Sequence, residues 1–390
     1  MISRNSISGA FPIRRLGEVV DFLDSKRRPV TASERKAGPF PYYGANGLQG
    51  TIDEFIFDEP LVLLAEDGGH FDDPARGIAY RISGKTWVNN HAHVLRPTSN
   101  VDLAYLCRVL ENYNVKPFVT GTTRGKLTKA GASEIPIPLP PLAEQRRIAE
   151  VLDKAEALRA KRRAALAQLD SLTQSLFLDL FGDPVANSKK WDRRPFSELL
   201  EAIDSGWSPV CLDRPVTGDE WGILKLGAVT RCVYNALENK ALPANEEPDP
   251  SLEVKAGDLL FTRKNTYELV AACAFVRATP PKLMMSDLIF RLRTKANAPV
   301  NKVFLQNLLV YPSKRSAIQK LASGSSGSMP NISKARLLTV PIELPPFDLQ
   351  REFARRVTAV EKLKTAQRAA LSELDALFAS LQHRAFRGEL

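Results

Sequence analysis

Two long stretches of the chain carry hydrophobic side chains at helical spacing and contain neither Pro nor Gly. They follow the proline pairs Pro140-Pro141 and Pro345-Pro346, which cannot lie inside a helix but can lead into one. Each stretch continues for about 40 residues and is rich in Ala, Leu, Glu, Lys and Arg, which favour helices. The pattern predicts two long helices, each measuring roughly 55–60 Å.

Apolar positions in both predicted helices recur at alternating steps of three and four, the period of a coiled-coil seam. The first seam comprises Ile148, Val151, Ala155, Leu158, Arg162, Ala165, Leu169, Leu172 and Leu176. The second comprises Phe353, Arg356, Val360, Leu363, Gln367, Ala370, Leu374, Leu377 and Leu381.

A polar residue interrupts each seam at the same place, Arg162 in the first helix and Gln367 in the second. We expect the two helices to pack on each other, with this polar pair helping to set their register. One alternative is that each helix packs on its own globular domain. Another is that the polar side chains extend into solvent and specify nothing.

The two helical stretches are copies of each other. Residues 136–183 align with residues 341–388 without a gap at a shift of 205 positions, and about 20 of the aligned pairs are identical. Residues 11–25 also align with residues 191–205, at a shift of 180. The chain is therefore one module used twice, a globular unit followed by a long helix, which predicts approximate two-fold symmetry.

The segments between the helices lack the helical period and read as mixed, strand-rich globular units. We expect four segments: a first globular domain over residues 1–139, a helix over 140–184, a second globular domain over 185–344 and a helix over 345–390. The two globular units are similar at their ends and divergent in their middle parts, which suits two domains that have the same function but act on different targets.

Composition narrows the possible functions. The 390 residues are 44% hydrophobic, which supplies enough core for two or three domains without disulfide or metal staples. The formal charge of +10 suits a polyanionic partner, nucleic acid first. The four cysteines form no C-x-x-C pair, and no apolar run approaches the length of a membrane span. We therefore expect a cytoplasmic protein.

Searches for catalytic motifs find no convincing site. The string Leu344-Pro345-Pro346-Phe347 lacks the Asn or Asp of an adenine methyltransferase, and the nuclease-like residues Asp249 and Glu253 are too close in sequence to lie on separate strands. Gly121 to Leu127 is one residue short of a P-loop. His91 and His93 alternate as metal ligands would, but without a third ligand in view we expect ordinary polar contacts.

Three groups of residues resemble the specificity (S) subunits of Type I restriction-modification systems. The most specific are the twin helix leaders at residues 135–149 and 340–354. Tyr42 to Gly50 and Trp87 to Leu95 are typical of one branch of the family's recognition domains. The second domain lacks the first of these strings, which implies that the two domains read different sequences.

The resemblance implies an α+β fold with two mixed α/β target recognition domains, joined by two long antiparallel helices. It implies a non-catalytic subunit that reads a bipartite DNA site, one half-site per domain, while the helices fix the gap. The implied partners are double-stranded DNA, two methyltransferase subunits and restriction subunits. S-adenosylmethionine, ATP and Mg are then expected on those partners, with no cofactor or metal on this chain.

Basic side chains would supply affinity for phosphates, and polar loop residues would read bases. The DNA-binding candidates in the first domain are Lys26, Arg27, Arg28, Tyr42, Asn46, Arg124, Lys126 and Lys129. In the second domain they are Lys225, Arg263, Lys264, Asn265, Ser325, Ser326, Asn331 and Lys334. For any one of them, a solvated surface charge or a loop cap is the alternative interpretation. For the whole chain, a coiled-coil scaffold and a self-contained DNA-modifying enzyme are the alternative functions.

Overall fold

The computed structural model describes residues 11–73, 76–121, 125–323 and 329–390. The chain forms two compact units, the first made of Met1–Ala165 with Gln367–Leu390 and the second of Leu166–Ala366. Each unit has its own sheets and its own hydrophobic core. Among the described residues, none of the helices combines the length and the apolar content that crossing a membrane requires.

The first unit contains two four-stranded sheets and a short two-stranded one. Its strands are β1 (Ile13–Arg15), β2 (Val20–Phe22), β3 (Phe40–Gly44), β4 (Gly47–Ile52), β5 (Phe57–Asp58), β6 (Leu61–Ala65), β7 (Ala79–Ile82), β8 (Lys85–Val88), β9 (Ala92–Pro97) and β10 (Pro136–Pro138). Its helices are α1 (Leu16–Val19), α2 (Leu103–Leu110), α3 (Lys129–Ser133) and the first part of α4 (Leu142–Phe181). The sheet orders are β2-β9-β6-β7, which is antiparallel, β4-β3-β8-β5, in which β3 and β8 are parallel, and β1-β10.

Strand β6 is buried on both faces, which explains its uninterrupted apolar sequence. Val62 and Leu64 face the main core, where α2 also packs. Leu61 and Leu63 point the other way, into a smaller core shared with Val88 of the second sheet. Because successive side chains of a strand point to opposite faces, this one strand holds the helical layer and both sheets together.

The second unit repeats the first architecture with different additions. Its strands are β11 (Asp192–Pro195), β12 (Leu200–Ser205), β13 (Gly222–Leu224), β14 (Asn239–Ala241), β15 (Leu259–Thr262), β16 (Cys273–Phe275), β17 (Leu283–Met284), β18 (Ile289–Thr294) and β19 (Pro341–Leu344). Its helices are α5 (Phe196–Leu199), α6 (Gly227–Thr230), α7 (Lys302–Val310), α8 (Pro312–Gln319), α9 (Lys334–Leu338) and the first part of α10 (Phe347–Ala385). The sheet orders are β12-β18-β15-β16, β14-β13-β17 and β11-β19.

The internal repeat is visible in the strand registers. Ile13 pairs with Pro138 across β1 and β10, and Arg193 pairs with Glu343 across β11 and β19. Ile13 and Arg193 are 180 positions apart, and Pro138 and Glu343 are 205 positions apart. These are the two shifts that the sequence alignment gives. The sheet β2-β9-β6-β7 likewise has the strand order of β12-β18-β15-β16. The two modules thus share a scaffold, while their other sheets differ in strand number and order.

The long helices pack against each other in antiparallel fashion within the first unit. Arg159 of α4 binds Asp375 of α10 at 2.6 Å, and Arg162 donates a 2.6 Å hydrogen bond to Gln367. As the residue number rises along α4, the residue number of its contact in α10 falls, so the two helices run antiparallel. The expected contact between Arg162 and Gln367 is therefore present, although Arg162 is exposed. The predicted α+β fold class with two long helices is confirmed.

The ion pair between the helices occurs once in each unit. In the second unit, Lys364 of α10 contacts Asp170 of α4 at 3.0 Å. Lys364 and Asp170 are the repeat counterparts of Arg159 and Asp375. Each unit therefore closes its pair of helix halves with an equivalent charged contact.

The predicted seam is wrong at four of its leucines. Leu158 is 52% exposed, Leu172 40%, Leu363 53% and Leu377 51%. A stripe with a 3.5-residue period drifts around a straight helix of 3.6 residues per turn by about 20° per heptad. The buried or half-buried positions instead include Leu152, Arg159 and Thr173 of α4 and, at the equivalent places, Val357, Lys364 and Phe378 of α10.

The helix ends pack on the globular cores rather than on a continuous seam. The first core includes Ile148 and Leu152 from the start of α4 and Phe386 just beyond the end of α10. The second core includes Phe353 from the start of α10 and Phe181 from the end of α4. Both interpretations of the helices are thus partly correct, because each helix contacts the other helix and also a globular core.

A buried glutamine fixes the start of each long helix. Gln145 accepts a 2.8 Å hydrogen bond from the backbone N–H of Asp102, and its amide donates to the carbonyls of Asn100 and Pro140. Gln350, its repeat counterpart, accepts from the backbone N–H of Asn301 and donates to two carbonyls in the same way. Both side chains are fully buried. Each glutamine joins a long helix to the N-terminus of the short helix that follows the main sheet.

We expect Gln145→Ala and Gln350→Ala each to lower the free energy of unfolding by about 2–3 kcal/mol, because buried peptide groups lose their partners. Urea unfolding of the purified chain measures the change. Gln168→Ala, at an exposed position of α4, is the matched control and should stay within about 0.5 kcal/mol of the wild type. Equal effects of all three substitutions would contradict the anchoring role.

Candidate nucleic-acid interface

The loops that precede α3 and α9 are closed by matching backbone contacts. Thr120 and Lys126 exchange hydrogen bonds of 2.8 and 2.7 Å. Ser323 and Asn331 exchange equivalent bonds of 3.0 and 3.1 Å. Each loop therefore has a fixed base at the same place in the repeat. Arg124, Ser325 and Ser326, three of the predicted DNA-binding residues, lie outside the described residues.

Most of the remaining candidates of the first domain lie at the surface. Lys26, Arg28, Asn46, Lys126 and Lys129 are exposed. The Lys126 ammonium lies 3.1 Å from a carboxylate oxygen of Glu66, and the Lys129 ammonium lies over the Phe22 ring. The structure therefore leaves these side chains at positions from which phosphates or bases can be contacted.

Arg27 and Tyr42 do not fit the predicted role of surface DNA contacts. The Arg27 side chain is only 12% exposed, and its guanidinium binds Glu66 at 2.6 Å and the carbonyl of Ala92 at 2.7 Å. Tyr42 is 2% exposed, and its hydroxyl donates to the carbonyl of Val30. Their polar groups are already used inside the domain, so both residues serve the fold.

The candidates of the second domain divide in the same way. Lys225 and Lys334 are exposed, and the Lys225 ammonium lies 3.0 Å from Glu238. Arg263, Lys264 and Asn331 are half-buried, and Arg263 donates a 3.1 Å hydrogen bond to the Asn331 amide oxygen.

The structure contradicts the prediction that Asn265 contacts DNA. The side chain is buried, its amide donates to the hydroxyl of Thr230 and its oxygen accepts from the backbone N–H of Thr266. Asn265 therefore stabilises its own loop and presents no free group to a ligand.

Arg27 belongs to a buried charge cluster under the first domain's surface. His93 places Nδ1 2.7 Å from Asp24 and Nε2 2.8 Å from the carbonyl of Leu127. Burial alone would raise the pKa of Asp24, but hydrogen bonds from His93 and from the backbone, with the charge of Arg27, hold that pKa below its usual value. Burial opposes ionisation of Glu66 too, yet hydrogen bonds from Arg27 and Lys126 lower its pKa.

The same cluster resembles a metal site in composition but not in charge. Asp24, Glu66 and His93 bring possible ligand atoms within 4.8 Å of one another. The Arg27 guanidinium, however, already lies at the position of a cation beside Glu66. In the second domain the equivalent aspartate, Asp204, binds Arg291 at 3.0 Å. We conclude that the cluster is a structural contact between neighbouring strands, and His93 makes the ordinary polar contacts that we expected.

A cavity of about 400 Å³ opens beside the β3–β4 turn of the first domain. It is lined by the turn itself, by the loop at residues 29–35, by Asp67 and Gly68, and by the turn between β8 and β9. Its side chains include Arg35, Asn46, Gln49, Asn89, Asn90 and His91. Four of these side chains end in carboxamides, which can both donate and accept hydrogen bonds.

Glycine makes the central contact of this cavity possible. A Cβ at Gly44 would lie 2.4 Å from the Gln49 amide nitrogen and 2.8 Å from that of Asn89. With glycine there, the Asn89 amide donates a 3.2 Å hydrogen bond to the Gln49 oxygen. Gly47 supports the turn with a φ of 99°, in the left-handed region.

Of the residues around this cavity, the sequence prediction included Tyr42 and Asn46 but missed Arg35, Gln49 and Asn90. The signal that could have found Gln49 and Asn90 is the glycine-rich turn of β3 and β4 combined with the amide pair Asn89-Asn90. Neither of these two segments has the periodicity of a helix, and the sequence of a turn does not show which side chains come together in the folded domain.

Comparison with known proteins shows similarity to Type I specificity subunits. The family model for the Type I restriction modification DNA specificity domain matches residues 10–168. The match covers 159 of the 390 residues, so it applies to the first globular module and the first part of the long helix that follows it. It is 40% identical to a putative type I restriction enzyme specificity subunit of Haemophilus influenzae, over 37% of this chain and 37% of the relative. It is 31% identical to the EcoEI specificity subunit of Escherichia coli, over 50% of this chain and 35% of the relative.

These two alignments thus span little more than a third of each relative's length. A longer one, to the EcoKI specificity subunit of Escherichia coli, is 25% identical over 76% of this chain and 68% of the relative.

Solved structures of specificity subunits share the fold. The S subunit of the Type I system of M. genitalium matches with a TM-score of 0.64 and 15% identity, over 97% of this chain and 96% of that one. A chain from the assembly of a type I R-M system matches with a TM-score of 0.51 and 18% identity, over 98% of this chain and 100% of that one. At these identities the similarity establishes the fold of the specificity subunit.

Two adjacent arginines of the first domain should behave differently. We expect Arg27→Ala to lower the free energy of unfolding by about 3 kcal/mol, because it removes the guanidinium that pairs with the largely buried Glu66 and Asp24 carboxylates. Arg28→Ala, at an exposed position, should leave stability within about 0.5 kcal/mol and weaken DNA binding with a shallower salt dependence. Urea unfolding and DNA titration at several salt concentrations measure both effects, and equal stability losses would contradict the assignment of Arg27 to the fold.

Proposed function

We propose that this chain is the DNA-recognition subunit of a Type I restriction-modification complex. It reads a bipartite site in double-stranded DNA, with one half-site for each target recognition domain. The domains are those expected from the sequence, at residues 1–139 and 185–344, and the helices at 140–184 and 345–390 set the distance between half-sites. With four cysteines that form no C-x-x-C pair, we also place the chain in the reducing cytoplasm.

The observation that carries this proposal is a shared scaffold with unlike additions. The sheets β2-β9-β6-β7 and β12-β18-β15-β16 have the same strand order, and the glutamine anchors and interhelical ion pairs occur in both modules. The other sheets, β4-β3-β8-β5 and β14-β13-β17, differ. A scaffold used twice suits one task, and different additions suit two target sequences.

The similarity to Type I specificity subunits and the lack of a recognisable catalytic motif in the sequence support a subunit without catalysis of its own. The methyl donor S-adenosylmethionine belongs to the methyltransferase partners, and ATP with Mg belongs to the restriction subunits. The salt dependence of DNA binding separates this function from that of a coiled-coil scaffold, because neutralised phosphates release counterions.

We expect methylated adenines to form a split motif in cells that express this chain with its methyltransferase. The motif should contain two short specified blocks around an unspecified gap, and it should be absent from cells without this chain. Sequencing that detects N6-methyladenine across the genome makes the measurement. A methyltransferase that is active with another reader, yet marks no motif with this chain, would contradict the proposal.

Four exposed leucines support binding of two copies of one partner. Leu158 and Leu363 are repeat counterparts that are 52% and 53% exposed, and so are Leu172 and Leu377, at 40% and 51%. The first unit contains Leu158 and Leu377, and the second contains Leu172 and Leu363. Each unit therefore presents an equivalent pair of leucines, which suits one methyltransferase subunit per unit.

We expect the double variant Leu158→Glu/Leu377→Glu to bind one methyltransferase subunit where the wild type binds two. Leu172→Glu/Leu363→Glu should do the same, and the fourfold variant should bind none, because each buried leucine contributes about 1.5–3 kcal/mol. Native mass spectrometry of the assembled complex counts the subunits. Leu178→Glu is the control, since this leucine is 50% exposed but its counterpart is His383. Two bound subunits in every variant would exclude these leucines from the interface.

A further inference from the structure

The tip of the turn between β8 and β9 carries an amide group that the protein itself does not use. Asn90 is exposed, and its side chain makes no hydrogen bond within the described part of the chain. Its backbone carbonyl lies 3.4 Å from the Arg27 guanidinium, so the main chain is held while the side chain is free. A free carboxamide offers one acceptor oxygen and a donor nitrogen side by side.

The neighbours of Asn90 fix its position. Asn89 is buried, and its side-chain oxygen accepts a 2.8 Å hydrogen bond from the backbone N–H of His91. The backbone N–H of Asn89 donates to the carbonyl of Tyr43 at 3.0 Å. The Asn89 amide also donates to the oxygen of Gln49, whose amide nitrogen has no acceptor among the described residues. Asn90, on this clamped turn, and Gln49, on β4, therefore line the same cavity.

Positive charge lies beside the cavity, while negative charge lies within it. Arg28 and Lys36 are exposed at the two ends of the loop that forms one wall, and within the described ranges neither makes an ion pair with a carboxylate. The cavity itself contains the Asp67 carboxylate, which is 2.5 Å from His91 Nδ1. A phosphate would be repelled by this carboxylate and attracted to the loop. The arrangement suits a duplex whose backbone lies along the loop and whose base edges face the amides.

We propose that Asn90 reads an adenine of the first half-site through the major groove with two hydrogen bonds, and that the Gln49 amide donates a further one beside it. Adenine presents the N7 acceptor and the N6 donor there, and a carboxamide satisfies both. Guanine presents two acceptors and cytosine one donor, so neither uses both atoms of Asn90. This inference rests on the proposed function, because it requires that the chain binds duplex DNA.

The test compares two substitutions of Asn90 in the complete complex with its methyltransferase. Asn90→Asp has nearly the same shape but only accepts hydrogen bonds, so it should reject adenine and favour cytosine at one position of one block. Asn90→Ala should accept every base there, with a roughly 5- to 150-fold loss of preference for adenine. The other block should not change in either variant. Genome-wide mapping of N6-methyladenine and methylation rates on single-base variants of the site measure these changes.

Asn100→Ala is the matched control, an exposed asparagine of the same unit outside the cavity, and it should keep the wild-type motif. An unchanged motif with Asn90→Asp would overturn the assignment of Asn90, as would a uniform loss of methylation on all sites. Failure of both Asn90 variants to assemble would overturn it too, because it would make this exposed residue a folding residue. A wild-type complex that marks no split motif would instead reject the proposed function itself.

Discussion

Burial of apolar helix ends in the two globular cores is the interaction on which this structure depends. Phe386, just beyond the end of α10, lies in the first core together with Ile148 from the start of α4, although more than half of the sequence separates them. The second core joins Phe181 and Phe353 in the same manner. A fully buried aromatic or aliphatic side chain of this size contributes roughly 1.5–3 kcal/mol. Neither recognition module is therefore complete without a helix end supplied by the other copy of the repeat.

The sequence predicted the repeat and the long helices because both are properties of many residues together. A shift of 205 positions between two helical copies is visible whatever their environment, and the absence of Pro and Gly is decisive over such lengths. The prediction that Leu158 and Leu363 are buried was wrong because repeats of 3.5 and 3.6 residues per turn diverge only after several helical turns. The sequence cannot tell which of these periods the tertiary packing selects.

The candidate interface was less predictable because charge and polarity do not reveal their partners. Arg27 and Arg28 are adjacent and chemically identical, yet one is enclosed by Glu66 and a carbonyl while the other is exposed. Asn265 and Asn90 likewise differ only in what surrounds them. Such differences arise from strands that are distant in sequence, so they emerge only when the sheets are assembled.

The contact between Arg162 and Gln367 joins two equivalent positions of the repeat. In a symmetric dimer of half-length chains, a residue at this position would face its own copy, and two arginines there would repel each other. Covalent fusion of the halves removes this demand for self-complementarity, because the two positions can then mutate independently. The same freedom extends to the recognition surfaces, so a fused chain can follow an asymmetric target that no homodimer could match.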